Sequence, residues 1–278
     1  MVRALAGGVL VSLSCAVIGT FVVLRGLAFI GDALSHGVLP GVAIALLLGL
    51  PGLVGAAAGS LAMILGIGYI TRRSNLSSDT AIGLLFVGML ALGVVIVSRS
   101  RSFSGDLIRI LFGEVLGISW ADVGGQAAAA LMVCAVALVC RRPFLLLSFS
   151  PEQADVSGFP SKRYHSIMLL MIALTIVVSF KTVGTLLVFG LLIAPAASAA
   201  LYAKKIGSMM AMAWAIGIFS IYAGLLASYH LNIAGGASIA LASTLVFFAL
   251  FAGKRITASR KLRYAKSLGA RASKAGLP

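Results

Sequence analysis

Asp32 and His36 stand four residues apart in a stretch, residues 26–41, that has no hydrophilic run and lies between two apolar segments. If the stretch is helical, positions i and i+4 share one face, one turn apart. A carboxylate oxygen beside an imidazole nitrogen is half of the coordination shell of a divalent metal ion. The competing reading is a helix cap in which Asp32 and His36 pair only with each other. Nearby glycines and Pro40 predict a broken helix lining a cavity, a construction common at transport sites. Two ligands are too few for a metal, so the rest must come from elsewhere.

Other polar residues carry weaker signals. His230 follows Ser228 and Tyr229 at the end of an apolar run. It reads either as an interfacial histidine or as a gate on an entry path. His165 adjoins Lys162, Arg163 and Tyr164 and reads as an inner-surface residue. Asp79 after Ser77 and Ser78 reads as part of a helix start, where the helix dipole favours a carboxylate. Residues 105–117, with Asp106 and Glu114 among leucines and isoleucines, predict an amphipathic helix lying on the outer surface. Residues 151–160 contain Glu152, Ala154 and Gly158 between two prolines. A short rigid helix ended by a glycine there can dock into a partner's cleft as a lever, or be an ordinary inner loop.

The elements that must position these groups follow from composition. The chain has 278 residues, 60% hydrophobic and only 10% charged, with a mean hydropathy of +1.10. Soluble domains carry about 25% charged residues, so a water-facing globular fold is excluded. Spanning a bilayer takes about 20 apolar residues as helix, and lipid permits only helices or closed barrels. The apolar runs here are continuous, without a barrel's alternation. The expectation is an all-α polytopic transmembrane bundle of about 8–9 spans, at roughly 4–24, 37–50, 52–71, 80–98, 122–140, 164–181, 183–202, 209–229 and 235–252. The second is short and either broken, re-entrant or begun earlier, within 26–36. Cys15, Cys134 and Cys140 form no CxxC pair and read as small buried hydrophobes.

The net charge of +15 is concentrated at the C-terminus, where eight basic residues and no acid occupy the last 26 positions. Basic residues beside apolar spans mark the cytoplasmic side. This predicts a transmembrane unit over 1–252 and a basic cytoplasmic, lipid-facing tail over 253–278, without nucleic-acid binding. Residues 99–121 and 230–234 then fall outside the cell, and the side of the N-terminus stays open. No phosphate-binding loop for nucleotide occurs, so any ATP hydrolysis belongs to another chain.

Several long stretches occur in a telling order. They are FVVLRGLAFIGDALSHGVLPGVAIA (21–45), SSDTAIGLLFVGMLALGVVIVS (77–98), DLIRILFGEVLGIS (106–119), PEQADVSGFP (151–160), KTVGTLLVFGLLIAPAASAALYA (181–203) and GLLASYHLNIAGGASIAL (224–241). Together they resemble the permease subunits of the bacterial ABC-type zinc, manganese and iron importers, the ABC-3 family, over most of the chain. The resemblance implies a type II importer-like permease that is not itself an enzyme and holds no permanent cofactor. It implies a homodimer in the cell membrane, a cytosolic ATPase partner and an extracytoplasmic metal-binding protein. The family's metal contact would fall on Asp32 and His36, doubled across the dimer axis. Its ATPase-coupling loop would fall on about 143–163, with Glu152, Ala154 and Gly158. Manganese and zinc stand about equal as cargo, with iron behind. The alternatives are a permease for a metal chelate or vitamin B12-type ligand, an ion-coupled secondary carrier, and a non-transport scaffold. Of these, the carrier would need intramembrane acids, and only Asp32 offers one.

Overall fold

The computed structural model describes residues 2–74, 76–98, 113 and 117–274; for residues 72, 78, 181, 182, 186 and 257–274 it describes the backbone alone. The outer segment expected at 105–117, with Asp106 and Glu114, lies essentially outside the described residues. Eleven helices and no strand occur among the described residues. They are α1 (Val2–Leu24), α2 (Ala28–Leu47), α3 (Gly52–Arg73), α4 (Ser78–Val97), α5 (Trp120–Val139), α6 (Arg141–Phe149), α7 (Pro151–Val156), α8 (Ser161–Val183), α9 (Thr185–Ala200), α10 (Ile206–Leu231) and α11 (Gly235–Lys274). Eight of them are long and apolar enough to cross a membrane.

The seventh expected span, 183–202, is α9, of 16 residues. At 1.5 Å per residue it is about 24 Å long, short of the roughly 30 Å hydrocarbon core. It is separated from α8 by Gly184, whose φ of 78° and ψ of 159° fall in a region that only glycine tolerates. Val183 and Thr185 on either side are buried, so the chain breaks inside the protein rather than against lipid.

The largest difference from expectation is α2. The region around Asp32 and His36 is not broken: one helix runs from Ala28 to Leu47 with Pro40 inside it. Proline removes one helical hydrogen bond, and in a membrane bundle neighbouring helices compensate. The glycines here serve packing instead of a break. A Cβ on Gly59 of α3 would stand 2.6 Å from the Gly37 carbonyl oxygen of α2, and one on Gly37 would stand 3.1 Å from the Met63 Cβ. The two backbones therefore touch, the approach that small residues permit between membrane helices. Gly59→Leu is expected to separate α2 from α3 and cost about 3 kcal/mol or more. A large drop in the thermal midpoint of the detergent-solubilised protein checks it.

Helix α1 forms the centre, packed on α5, α9 and α10. Helix α2 is held between α3 and α4, and α8 joins the two groups by touching α1, α2, α3, α5 and α9. Two adjacent turns fix the entry to α2. Arg25 ends α1, Gly26 takes a φ of 66°, the Gly26 N–H donates to the Val23 carbonyl (3.2 Å) and the Leu27 N–H to that of Val22 (2.9 Å). This is a Schellman cap, closed without a polar loop. The same pattern closes α2 at Gly49, where the Leu50 N–H reaches the Ala45 carbonyl at 2.8 Å. Helix α11 has 40 residues and continues without a break past residue 253, extending well beyond its membrane-length part, Gly235–Ile256.

Candidate functional site

Nearly all of α2 between Ile30 and Val42 is buried. A narrow stripe stays partly open, and it carries Phe29, Asp32 and His36. The Asp32 and His36 side chains are 26% and 20% exposed, and His36 Nε2 lies 3.5 Å from Asp32 Oδ1. The spacing read from the sequence thus puts both groups on one face. Two metal bonds of about 2.1 Å at right to tetrahedral angles hold their donors about 3.0–3.4 Å apart. The pair is already set close to that separation.

The imidazole packs on Phe86 of α4, with ring centroids 5.2 Å apart at 80°. Phe86 is the ninth residue of a 20-residue helix, about 12 Å from its start. The pair therefore sits near the middle of the bundle's depth, where an ionisable group is costly and marks a path or site. His36 Nδ1 is buried and has no hydrogen-bond partner. Resident metal sites normally anchor that second nitrogen on a carboxylate or carbonyl. Pro40 has no N–H, so the His36 carbonyl receives no helical bond from it. No group of three or more His, Cys, Asp or Glu side chains suited to a metal occurs among the described residues.

The remaining predicted residues do not join this pair. His230 lies at the end of α10, exposed, its ring 5.4 Å from that of Tyr229. Asp79 lies in the first turn of α4, where Ser77 provides the cap by accepting from the Thr80 N–H at 3.1 Å. Cys15 and Cys140 are buried and Cys134 partly so, all as free thiols.

Residues 151–160 form a compact unit. Ser150 caps α7 by accepting from the Gln153 N–H, with Pro151 at the first position. Gly158, with a φ of 82°, ends the helix in another Schellman cap: its N–H reaches Asp155 (3.1 Å) and the Phe159 N–H reaches the Ala154 carbonyl (2.9 Å). Glu152 faces outward, whereas Ala154 is fully buried within this chain. The unit is bolted to α8. Asp155 accepts from the Ser161 N–H (2.7 Å) and hydroxyl (2.8 Å), and Phe159 meets Tyr164 edge to face at 5.7 Å.

The Ser161 backbone and side-chain hydrogen bonds hold the Asp155 carboxyl below the ordinary carboxylate range. A depressed value means the bolt is complete above about pH 4, the ordinary aspartate value, and weakens only as pH falls through the lower folded one. Amide exchange at Ser161, corrected for intrinsic rate, is therefore expected to show the same protection at about pH 8 and about pH 5. Asp155→Asn should lose part of it at both.

Sequence reading missed one pairing. His165 is not a bland surface residue: its Nδ1 lies 3.0 Å from an Arg25 guanidinium nitrogen. The partners are 140 positions apart in sequence, and no local pattern announces such a contact. Beside them is a cavity of roughly 500 Å³ lined by Phe29, Ile67, Asp79, Lys162 and Leu169 among others.

A buried helix with one open, ionisable stripe, beside a braced helical turn at one end of the bundle, is the plan of a membrane transport protein. The ABC 3 transport family matches residues 1–254, and the chain belongs to it. It is 39% identical over 249 residues to the manganese transport system membrane protein MntC of Listeria monocytogenes, covering 90% of this chain and 89% of that one. It is 40% identical to the manganese import system permease protein ScaB of Streptococcus parasanguinis, with 90% and 89% covered. Among solved structures it aligns with PsaBC from Streptococcus pneumoniae in complex with Fab, at a TM-score of 0.81, 34% identity and 90% of each chain.

Proposed function

We propose that this chain is the membrane permease of an ATP-driven importer that carries a divalent transition-metal cation, manganese first, into the cell. The Asp32–His36 pair at mid-depth carries this reading. Aspartate and imidazole are borderline-hard ligands that suit manganese, ferrous iron and zinc alike. The names of the relatives tip the balance to manganese. A second copy of the chain across a dimer axis supplies another Asp–His pair.

The partners follow from the same reading: a cytosolic ATPase that seats α7, an extracytoplasmic protein that delivers the metal, and the second permease. Arg141, Arg142, Lys162, Arg163, Lys204, Lys205, Lys254 and Arg255 all cluster toward the end that carries α7. By the positive-inside rule that end is cytoplasmic. The start of α1 lies at the other end, since Arg3 stacks on Trp120 at 5.7 Å, so the N-terminus falls outside. The basic tail enters the cytoplasm on α11. His230, at the outer end of α10, stands where an arriving ion would pass.

The test is total cell metal, measured by mass spectrometry in a strain lacking this chain. Manganese should fall and return with the wild-type chain. If no transition metal changes, the reading fails and the organic-ligand permease takes its place.

A further inference from the structure

We infer that Arg25 and His165 form a clasp that transmits motion of α7 to the metal-bearing helix α2. The inference rests on the transport reading above and concerns how the ATPase end reaches the site. An Arg side chain can only donate, so His165 Nδ1 accepts and the imidazole is neutral, with its proton on Nε2. The same guanidinium nitrogen lies 3.8 Å from the Met168 sulfur, also on α8.

The geometry forms a continuous line. Helix α7 is fixed to the first turn of α8 by Asp155–Ser161 and Phe159–Tyr164. His165 lies one helical turn beyond Ser161, on the same face. Arg25 is the last residue before the Gly26 cap, and α2 starts three residues after it. Asp32 follows one turn into α2. Displacement of α7 thus moves α8, the clasp, the α1–α2 turn and the Asp32–His36 stripe in order. The cavity beside the clasp gives the turn room to shift without rebuilding the core. A directional, charge-assisted hydrogen bond holds register where apolar surfaces do not. Arg25 and His165 are positioning residues: neither touches the metal or the nucleotide.

The experiment uses the whole transporter, with its ATPase, in proteoliposomes, and reads manganese moved per ATP hydrolysed. Arg25→Gln and His165→Phe should hydrolyse ATP within about twofold of wild type yet move at least about tenfold less metal per ATP. His165→Gln, which keeps an acceptor for the guanidinium, should retain most of the coupling. A wild-type ratio in both Arg25→Gln and His165→Phe overturns the clasp. If either substitution prevents assembly, a double variant with cysteines at positions 25 and 165, on a background with Cys15, Cys134 and Cys140 replaced by serine, decides instead. It should be uncoupled when free and recoupled by a short bis-thiosulfonate linker, reversibly on reduction. Persistent uncoupling after linking overturns the proposal. Wild type and Gly158→Val serve as references. If wild type couples, Gly158→Val uncouples and the clasp variants behave as wild type, the clasp alone is wrong. If wild type moves no metal, the transport reading and the clasp both fall.

Discussion

Asp32→Ala and His36→Ala are each expected to reduce metal uptake at least about 100-fold while leaving the transporter able to assemble with its proposed ATPase. Each substitution removes one of two side-chain donors that this chain offers on the open stripe of α2. Loss of a residue that merely orients a ligand already costs about 10–100-fold, so loss of a ligand itself sets that as the lower bound. The effect on folding is small for a structural reason. Both side chains are partly open, their mutual contact is 3.5 Å, and the Nδ1 edge of His36 makes no hydrogen bond that alanine would orphan. Helix α2 keeps its hold on α3 through Gly37 and Gly59, which the substitutions leave alone. Uptake of manganese by cells, with co-purification of the ATPase as the assembly control, checks this. Normal uptake in both variants removes the pair from the path.

Gly158→Val is expected to uncouple ATP hydrolysis from transport, with metal moved per ATP falling about tenfold or more. The cap that ends α7 needs a φ of 82° at this position. A residue with a Cβ pays about 1–2 kcal/mol in the left-handed region, and a β-branched one pays the most. Space is not the obstacle, since no atom lies within 4 Å of a Cβ built there; the backbone is. Valine is expected to open the two capping hydrogen bonds and weaken the hold of α7 on Phe159 and Tyr164. Gly158→Asn is the matched control, because asparagine tolerates the left-handed conformation, and it should retain most coupling. Glu152→Arg acts on the outward face of the same turn. It places a cation at the positive end of α7 and should uncouple without disturbing Ala154 inside. Transport-stimulated ATP hydrolysis that survives Gly158→Val and Glu152→Arg would remove α7 from the coupling path.

Most of the membrane architecture was legible because lipid leaves few options. Continuous apolar runs such as 52–71 and 80–98 had to be helices, and they correspond closely to α3 and α4. The start of α2 at Ala28 falls within 26–36, one of the alternatives the sequence leaves open; the expected break in the helix is the main difference, and its cause is specific. Gly31, Gly37, Gly41 and Pro40 look like breaks in water, where each lost hydrogen bond or freed dihedral favours another conformation. Here Gly37 and Gly41 face α3 at backbone contact, and the neighbouring helices carry α2 through Pro40. The Asp32–His36 pairing was legible because i, i+4 spacing survives this difference. Helix α9 was read as an ordinary span because its apolar run does not reveal that Gly184 breaks the chain inside the protein. The capping of α7 by Gly158 was legible in its glycine and prolines. The inward side of Ala154 and the Arg25–His165 contact were not, since both depend on which helices meet in space.

Pulsed electron paramagnetic resonance of Mn²⁺ bound to the purified transporter, with histidine labelled by ¹⁵N, tests whether His36 is a ligand. The wild-type protein should show an imidazole nitrogen coupled to the metal, and His36→Ala should lose it while the other two histidines, His165 and His230, remain in place. A nitrogen coupling that persists in His36→Ala, or a wild-type spectrum with no nitrogen ligand at all, would contradict the site.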